Sequence, residues 1–415
     1  MSSAANRPGR LVRLLRFAGR LDNEAHYAYY CLRSGMIGVG GPVTMGRVAR
    51  AFWEYGMLGG VISATAARFP ARTALIDDRG SLTYAELDRE VNAIANAWRA
   101  LGVEAGTGLA IMTRNHRGFL QAVFAGAKCG ARLILVNPGF SAPQVSDVMV
   151  REGAEMVVYD EEFESLIDPA LELPLGCFRA WADTRLDQPD RLDALIAASA
   201  PTPVPPKPAH APRVVVLTSG TTGAPKGAGR DVPVSLSPVG GPLSCVPFRS
   251  ADIALISAPL FHALGFTQSL IQVGLGATIV LERRFDPAHT VSQLARNRVT
   301  SWIIAPVMLQ RSLAHAQEQL ASLDLSSLRI IYMSGSQLGA DLARRATAVF
   351  GDVLYNLYGS TEIAYATIAT PEDLRAEPGC VGRVVRGAEV RIVDDQGRKL
   401  PAGRTGRIFV GHQSQ

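Results

Sequence analysis

Ten residues near the middle of the chain have the composition of a polyphosphate-binding loop. The segment Thr218–Gly227 contains four hydroxyl side chains, three glycines and one lysine, and it contains no acidic residue. Glycines let backbone N–H groups approach phosphate oxygens, hydroxyls donate hydrogen bonds, and the ammonium balances charge. The loop is not a Walker A motif, because a proline precedes its lysine and a glycine follows it. Taken alone, the same composition also suits a mobile linker.

Further along the chain, short segments rich in glycine, aromatic and polar residues follow this loop in a definite order. They are Pro259–His262, Ser334–Leu338, Tyr355–Glu362, Gly379–Asp395 and Gly403–Gly411. Together with the loop, this succession resembles the motifs of the adenylate-forming superfamily, which includes acyl-CoA synthetases, peptide-synthetase adenylation domains and luciferases. The resemblance extends over roughly residues 60–411.

The resemblance implies a two-step reaction. A carboxylate attacks ATP to give an acyl-adenylate and pyrophosphate, and a thiol, usually that of coenzyme A, then takes the acyl group. Because a carboxylate is a weak nucleophile and both reactants are anions, such a reaction needs positive charge and oriented N–H donors around the phosphates more than a general base. A carboxylic acid, ATP and coenzyme A are therefore the expected substrates, with Mg²⁺ as the expected metal.

The resemblance also implies which residues bind these groups. The ATP-binding residues would be Thr218, Ser219, Gly220, Thr221, Thr222, Gly223, Lys226, Gly335, Ser336, Gln337, Asn356, Tyr358, Gly359 and Thr361. Among them, Tyr358 would stack on adenine and Asn356 would meet its amino edge. Glu362 would bind Mg²⁺, which accepts one carboxylate together with phosphate oxygens and water. The residues implied in catalysis are Lys226, Thr361, Glu362 and His262.

His262 bears on the class of acid. Adenylation domains that select amino acids resemble this region but carry an aspartate here, which pairs with the substrate ammonium. In this chain His262 is followed by Ala263-Leu264-Gly265-Phe266, which offers no anion. Because burying an unpaired ammonium is costly, a fatty or aromatic acid is favoured over an amino acid, and we expect a fatty acid.

The resemblance predicts further groups that have no counterpart in the 415 residues. Members of the superfamily continue into a small mobile C-terminal domain with a ribose-binding aspartate, a nearby arginine and a catalytic lysine. The sequence ends at Gly411–Gln415, directly after the last matching motif. We therefore expect a large N-terminal domain from which the C-terminal catalytic domain is absent, with full turnover impaired.

Composition restricts the other classes of function. The net charge of +5 equals the five arginines that precede the first acidic residue, Asp22, so the remainder is near neutral and nucleic-acid binding is not expected. No run of 18 apolar residues appears in the sequence, so no membrane span is expected. The five cysteines are scattered, without a Cys-x-x-Cys pair or a Cys/His cluster. This argues against a disulfide framework or a zinc site, and we expect a cytoplasmic protein.

Residues 1–56 precede the resemblance and contain a basic amphipathic pattern. Between Arg10 and Leu21 the leucines share one helical face and the arginines another. Such a helix can lie on an anionic membrane, so peripheral membrane contact through residues 7–21 is one interpretation. Packing on its own domain, with solvated arginines, is the other. An arginine-rich start is also typical of transit peptides.

From Ile62 onward, strand-like runs alternate with amphipathic helical patterns, which indicates parallel α/β layers. One helix is expected to open at Ser81 and run to Leu101, with Thr83 and Glu86 at capping-box spacing. The predicted fold is α/β, with two layered βαβ subdomains of mostly parallel sheets and a small antiparallel β unit.

The predicted boundaries place an AMP-binding large domain at 57–411, after the extension at 1–56. Its parts are a first α/β subdomain (57–198), a proline-rich connection (199–213), a second α/β subdomain with the ATP motifs (214–381) and a small β unit (382–411).

The sequence therefore predicts the large domain of an acyl-CoA synthetase of the fatty-acid ligase type. Two alternatives remain open. The first is a degenerate nucleotide- or acyl-binding protein without turnover. The second is a peripheral membrane or interaction protein that acts through its basic N-terminus.

Overall fold

The structure is a computed structural model that describes most of the chain. The described residues are 10–38, 40–184, 188–204, 212–218, 226–230, 235–315, 317–360 and 363–412. Within these ranges the helices are α1 (Arg10–Ser34), α2 (Pro42–Arg68), α3 (Tyr84–Ala100), α4 (Arg117–Cys129), α5 (Ala142–Arg151), α6 (Leu192–Ala198), α7 (Ser237–Cys245), α8 (Ala263–Leu275), α9 (Pro287–Arg296), α10 (Pro306–His315), α11 (Gln317–Ser322), α12 (Ala340–Phe350) and α13 (Pro371–Ala376), with a 3₁₀-helix at Glu161–Leu166. The strands are β1 (Thr73–Asp77), β2 (Gly80–Thr83), β3 (Gly108–Met112), β4 (Arg132–Leu135), β5 (Met156–Asp160), β6 (Cys177–Trp181), β7 (Val214–Thr218), β8 (Lys226–Arg230), β9 (Ile253–Ile256), β10 (Thr278–Val280), β11 (Ser301–Ile304), β12 (Ile330–Met333), β13 (Leu354–Tyr358), β14 (Thr367–Ala369), β15 (Arg383–Val384), β16 (Ala388–Val393) and β17 (Arg407–His412).

Among the described residues, the strands form two large sheets and a separate hairpin. The nine-stranded sheet has the order β15-β14-β13-β12-β11-β9-β10-β1-β2, and the six-stranded sheet has the order β6-β5-β3-β4-β7-β8. Their central pairs are parallel and strands such as β3 and β5 are buried throughout, as expected where helices cover both faces. β16 and β17 pair antiparallel. The predicted α/β fold, with mostly parallel sheets and a small antiparallel unit, is confirmed.

The two sheets divide the chain differently from the predicted subdomains. β1 and β2 come from residues 57–198 but lie in the nine-stranded sheet, where Leu75 of β1 is opposite Ile279 of β10. Conversely, β7 and β8 come from residues 214–381 but lie in the six-stranded sheet. Local sequence does not reveal such an exchange, because parallel strands pair through contacts between distant segments. As a result, the strand before the phosphate loop and the strands before the adenine motifs belong to different sheets.

The start of α3 corrects one expectation and confirms another. The prediction that a helix opens at Ser81 is wrong, because this residue belongs to β2, which turns back at Gly80 (φ 96°) and pairs with β1. The helix begins at Tyr84 instead. Its predicted capping box is present: the Thr83 N–H donates to Glu86 Oε2 (2.7 Å), and the Glu86 N–H donates to Thr83 Oγ1 (3.2 Å).

The second half of α1 packs against the domain. Tyr27 and Cys31 are buried, and the Tyr27 hydroxyl donates to the carbonyl of Arg386 (2.7 Å). The Glu24 carboxylate accepts hydrogen bonds from Ser235 Oγ and from the Leu236 N–H. Membrane contact through residues 7–21 stays a prediction. Among the described residues, no helix is both long and apolar enough to span a membrane.

The predicted boundary at residue 56 falls within α2. At Gly56 the backbone has φ 67°, and this non-helical residue divides α2 into two segments. The segments pack closely, since a Cβ on Gly60 would lie 2.6 Å from the carbonyl oxygen of Ala51. Tyr55 and Leu58, on either side of Gly56, both belong to the large hydrophobic core. The boundaries themselves stay a prediction.

Candidate functional site

Two of the predicted ATP motifs meet at the carboxyl edge of the nine-stranded sheet. β12 and β13 are parallel neighbours, with Met333 opposite Asn356. The loop Gly335–Gln337, which follows β12, therefore lies beside the end of β13. All three loop residues are exposed, while the next residue, Leu338, is buried and anchors the loop before α12. Gly335 has φ 96°, a conformation that favours glycine.

Asn356 presents a buried polar atom without a partner. Its side chain is 4% exposed, and its Oδ1 has no hydrogen-bond partner within the described part of the chain. An unpartnered buried acceptor typically costs about 1–3 kcal/mol, so a ligand that donates to it would recover that free energy. Tyr358 is half-buried two residues further along β13, on the same face of the strand. An amide acceptor beside an aromatic ring suits a planar base with an exocyclic amino group.

The turn after β13 requires glycine at position 359. A Cβ there would lie 2.5 Å from the carbonyl oxygen of Ala364 and 2.9 Å from the Cα of Tyr365. The Ala366 N–H, just before β14, donates to the carbonyl of Tyr358 (2.8 Å). The predicted α-phosphate and metal residues, Thr361 and Glu362, lie outside the described residues.

The predicted phosphate loop connects β7 to β8 in the six-stranded sheet. Thr218 and Lys226 are opposite each other in an antiparallel pair, so the two ends of the loop are held together. For these two residues only the backbone is described. Ser219, Gly220, Thr221, Thr222 and Gly223 lie outside the described residues.

His262 lies at the same edge of the nine-stranded sheet as the adenine motifs. It follows β9 and is the N-cap residue of α8. In the sheet, β11 lies between β9 and β12. The imidazole keeps an accessible edge and contacts the Phe261 ring (centroids 4.4 Å apart). Partial desolvation lowers the pKa of His262 below its ordinary value, which favours the neutral imidazole. A neutral imidazole can hydrogen-bond a carboxylic acid without adding charge to the site.

The sequence analysis missed a polar network where the carboxyl edges of the two sheets face each other. Asn115, after β3, is 7% exposed and donates from Nδ2 to the carbonyls of Ile256 (3.3 Å) and Ala258 (3.0 Å). Its Oδ1 accepts from the Leu260 N–H (2.9 Å). The available signal was a run of polar residues directly after a buried strand, which marks the carboxyl edge of a parallel sheet.

Ion pairs extend this network. Arg117 at the start of α4 binds Asp77 at the end of β1, with Nη2 2.6 Å from Oδ1. Glu162 lies within 3.2 Å of guanidinium nitrogens of Arg114, Arg283 and Arg284. Burial by itself would raise the pKa of Glu162, but hydrogen bonds from Arg114 and Arg284 lower it to about 2. These contacts hold the two sheets together across their carboxyl edges.

The order of motifs and the fold agree with a comparison against known families. A family model described as "AMP-binding enzyme" matches residues 62–415. The chain belongs to this family. The match includes every predicted site residue, from Thr218 to Glu362.

Named relatives belong to the adenylate-forming enzymes. A fatty acid–[acyl-carrier-protein] ligase of Streptomyces coeruleorubidus is 28% identical, over 82% of this chain and 66% of the relative. An indoleacetate–CoA ligase of Aromatoleum aromaticum is 32% identical, over 82% and 67% respectively. The structure of the anthranilate CoA ligase AuaEII with anthranoyl-AMP superposes with a TM-score of 0.76 at 23% identity, over 86% of this chain and 70% of that one. The chain spans about two thirds of the length of these curated relatives.

Proposed function

We propose that the protein activates a carboxylic acid with ATP to an acyl-adenylate and passes the acyl group to the thiol of coenzyme A. The observation that carries this proposal is the edge formed by β12 and β13. There the exposed loop Gly335–Gln337 lies beside Asn356, whose buried Oδ1 lacks a partner among the described residues. Family membership supports the same chemistry.

ATP fits the residues present at this edge. The adenine amino group would donate to Asn356 Oδ1, Tyr358 would stack on the base, and the loop after β12 would line it through its backbone. The β- and γ-phosphates would bind the loop from Thr218 to Lys226, and the α-phosphate would contact Thr361. Glu362 is proposed to hold Mg²⁺, which neutralises phosphate charge when bound.

A carboxylic acid without an ammonium group is the proposed substrate, and a fatty acid is our first choice. His262 offers a neutral imidazole where an ammonium would need an anion. Relatives named for a fatty acid and for indoleacetate are consistent with an apolar acid pocket, which leaves an aryl acid as the alternative. A panel of fatty and aryl acids distinguishes the two.

We further propose that the 415 residues by themselves bind MgATP but turn over slowly. The resemblance places the catalytic lysine beyond the last motif matched in this chain. Losing one preorganised charge at the transition state typically costs roughly a hundred- to a thousand-fold in rate. Fusing the C-terminal domain of a related synthetase after Gly411 should therefore increase acyl-CoA formation.

Acid-dependent exchange of pyrophosphate into ATP tests the proposed function. We expect MgATP binding by the chain and acid-dependent exchange that the fusion accelerates. Absence of both binding and exchange, in the chain and in the fusion, would reject the proposal. MgATP binding without exchange in either protein would instead favour the alternative of a nucleotide-binding protein without turnover.

The chain contains a matched pair of lysines for a test of the phosphate loop. Lys226→Ala should weaken MgATP binding about ten- to a hundred-fold, as expected for a lost hydrogen bond to a charged group. Lys399→Ala, at an exposed position after β16, should leave it unchanged. Calorimetric titration of both variants with MgATP measures the difference. Equal affinity in Lys226→Ala and wild type would rule out this role.

A further inference from the structure

Asn115 joins the carboxyl edges of the two sheets through a buried, uncharged side chain. Among the described residues, its side chain hydrogen-bonds backbone groups of Ile256, Ala258 and Leu260, in the turn that leads from β9 to His262. The amide supplies two N–H donors and one acceptor, which matches two carbonyls and one N–H. An aspartate would place a carboxylate oxygen against the two carbonyls, and an aliphatic residue would remove the side-chain partner of all three groups.

The turn that carries Asn115 is itself held in place. His116 and Asp160 are both completely buried, with His116 Nε2 2.8 Å from Asp160 Oδ1. The other imidazole nitrogen, Nδ1, accepts from the Gly118 N–H (3.0 Å) at the start of α4. The second oxygen of Asp160 accepts from the Arg114 N–H (2.8 Å). The end of β5 and the start of α4 therefore both restrain Asn115.

This position relates the two parts of the proposed ATP site. In the six-stranded sheet, β4 alone lies between β7 and β3, the strand that precedes Asn115. The paired ends of the β7–β8 hairpin therefore lie about 10 Å from the end of β3, along the same edge of the sheet. The turn that Asn115 binds follows β9 in the other sheet, which also carries the β12–β13 edge. A ligand that contacts both the hairpin and the β12–β13 edge depends on how the two sheets are held relative to each other.

We propose that Asn115 is a positioning residue that fixes the nine-stranded sheet against the six-stranded sheet for a ligand that spans both. The inference rests on the proposed function, in which adenine binds at β12–β13 and the β- and γ-phosphates bind at the β7–β8 hairpin. ATP spans both sheets. AMP, which lacks the two outer phosphates, binds mainly at the nine-stranded sheet. Loss of Asn115 should therefore weaken ATP binding much more than AMP binding.

The experiment compares the affinities of MgATP and AMP in wild type, Asn115→Ala and Asn115→Ser. Thr65→Val is the matched control, because Thr65 is 1% exposed and its hydroxyl donates to the Val273 carbonyl (3.0 Å) near the opposite, amino edge of the sheet. We expect Asn115→Ala to lose about ten-fold in MgATP affinity and less than about three-fold in AMP affinity. Asn115→Ser retains a hydrogen-bond donor and should lose less MgATP affinity. This variant provides the test if Asn115→Ala fails to fold. Thr65→Val should leave the ratio of the two affinities unchanged.

Hydrogen exchange provides a second measurement that does not depend on nucleotide binding. The Leu260 amide should exchange at least about ten-fold faster in the Asn115 variants than in wild type, and at the wild-type rate in Thr65→Val. If wild type binds neither nucleotide, the proposed function fails, and the exchange rate of Leu260 decides the positioning role alone. Equal losses of ATP and AMP affinity in a folded Asn115 variant, or unchanged exchange at Leu260, would overturn that role.

Discussion

Two regions of the same sheet edge differ in whether their buried polar groups have protein partners. Where β1 and β9 face the six-stranded sheet, Asp77 and Asn115 are buried and have protein partners, namely Arg117 and the turn after β9. At β12 and β13, by contrast, Gly335–Gln337 is exposed and Asn356 Oδ1 lacks a partner within the described residues. The comparison indicates that the first region stabilises the protein, and we expect the second to bind the ligand.

The physical reason is whether a second sheet covers the edge. Carbonyl ends, N–H groups and polar loop residues collect at the carboxyl edge of any parallel sheet, which is where ligands usually bind in open α/β folds. Where a second sheet covers the edge, water is excluded and each polar group needs a protein partner. Where the edge stays exposed among the described residues, as at Gly335–Gln337, the polar groups can bind water or substrate instead. Substitutions in the two regions should therefore affect different quantities.

The largest expected effect is on stability, in the covered region. Arg117→Met leaves the carboxylate of Asp77, whose side chain is 1% exposed, without its guanidinium partner. Removing one member of a buried pair typically costs about 3–5 kcal/mol in the free energy of unfolding. Arg345→Met removes an exposed pair with Asp341 on α12 and should cost less than about 1 kcal/mol. Urea denaturation of both variants measures the contrast, and equal losses would contradict it.

Glu282, just after β10, is an exception to the pairing of buried polar groups in the covered region. Glu282 is 6% exposed, and its Oε2 accepts a hydrogen bond from Thr290 Oγ1 (2.7 Å). Its other oxygen, Oε1, has no hydrogen-bond partner among the described residues, and His289 Nε2 lies 3.6 Å from it. Burial raises the pKa of Glu282 to about 7. Between its unfolded pKa and pH 7 the folded state holds a proton that the unfolded state has lost, so stability falls as pH rises through this window.

Glu282→Gln should remove this pH dependence, because the amide keeps the shape of the neutral acid. At pH 8 the variant should be more stable than wild type by about 3–4 kcal/mol, and at pH 4 the two should be nearly equally stable. Urea denaturation across this pH range provides the measurement. A constant difference between the two proteins from pH 4 to pH 8 would show that Glu282 does not titrate in this window.

The smallest expected effect is on ligand affinity, in the uncovered region. Asn356→Leu should weaken ATP binding about ten-fold, which is about 1.4 kcal/mol, through the loss of the acceptor for the adenine amino group. Its free energy of unfolding should stay the same or increase, since an unpartnered buried amide is removed. Asn115→Leu is the matched substitution in the covered region and should lower stability clearly. If both variants lost stability equally, the distinction between the two regions would be wrong.

Much of the fold was predictable where the signal was local. The capping box involves only Thr83 and Glu86, which are three positions apart in the sequence. The helical period of α3 is visible in the sequence because one of its faces is buried and the other is exposed. α8 was missed because most of its residues, from Gly265 to Leu275, are buried, so no polar face marks its period. The pairing of β1 with β10 was missed as well, because its partners are separated by some two hundred residues.

The sequence by itself determined the chemistry of the candidate site. Hydroxyls, glycines and a lysine at Thr218–Gly227, and the polar and aromatic residues at Tyr355–Glu362, specify what those loops can bind, since the donors and acceptors are properties of the residues. Only the tertiary structure decided which loops meet. Asn115 and Asn356 carry the same amide. Asn115 lies shortly after β3, and Asn356 lies in β13 where its parallel pairing with β12 ends. Among the described residues, Asn115 is paired because the turn after β9 lies against it, whereas the loop Gly335–Gln337 beside β13 stays exposed and Asn356 Oδ1 has no partner.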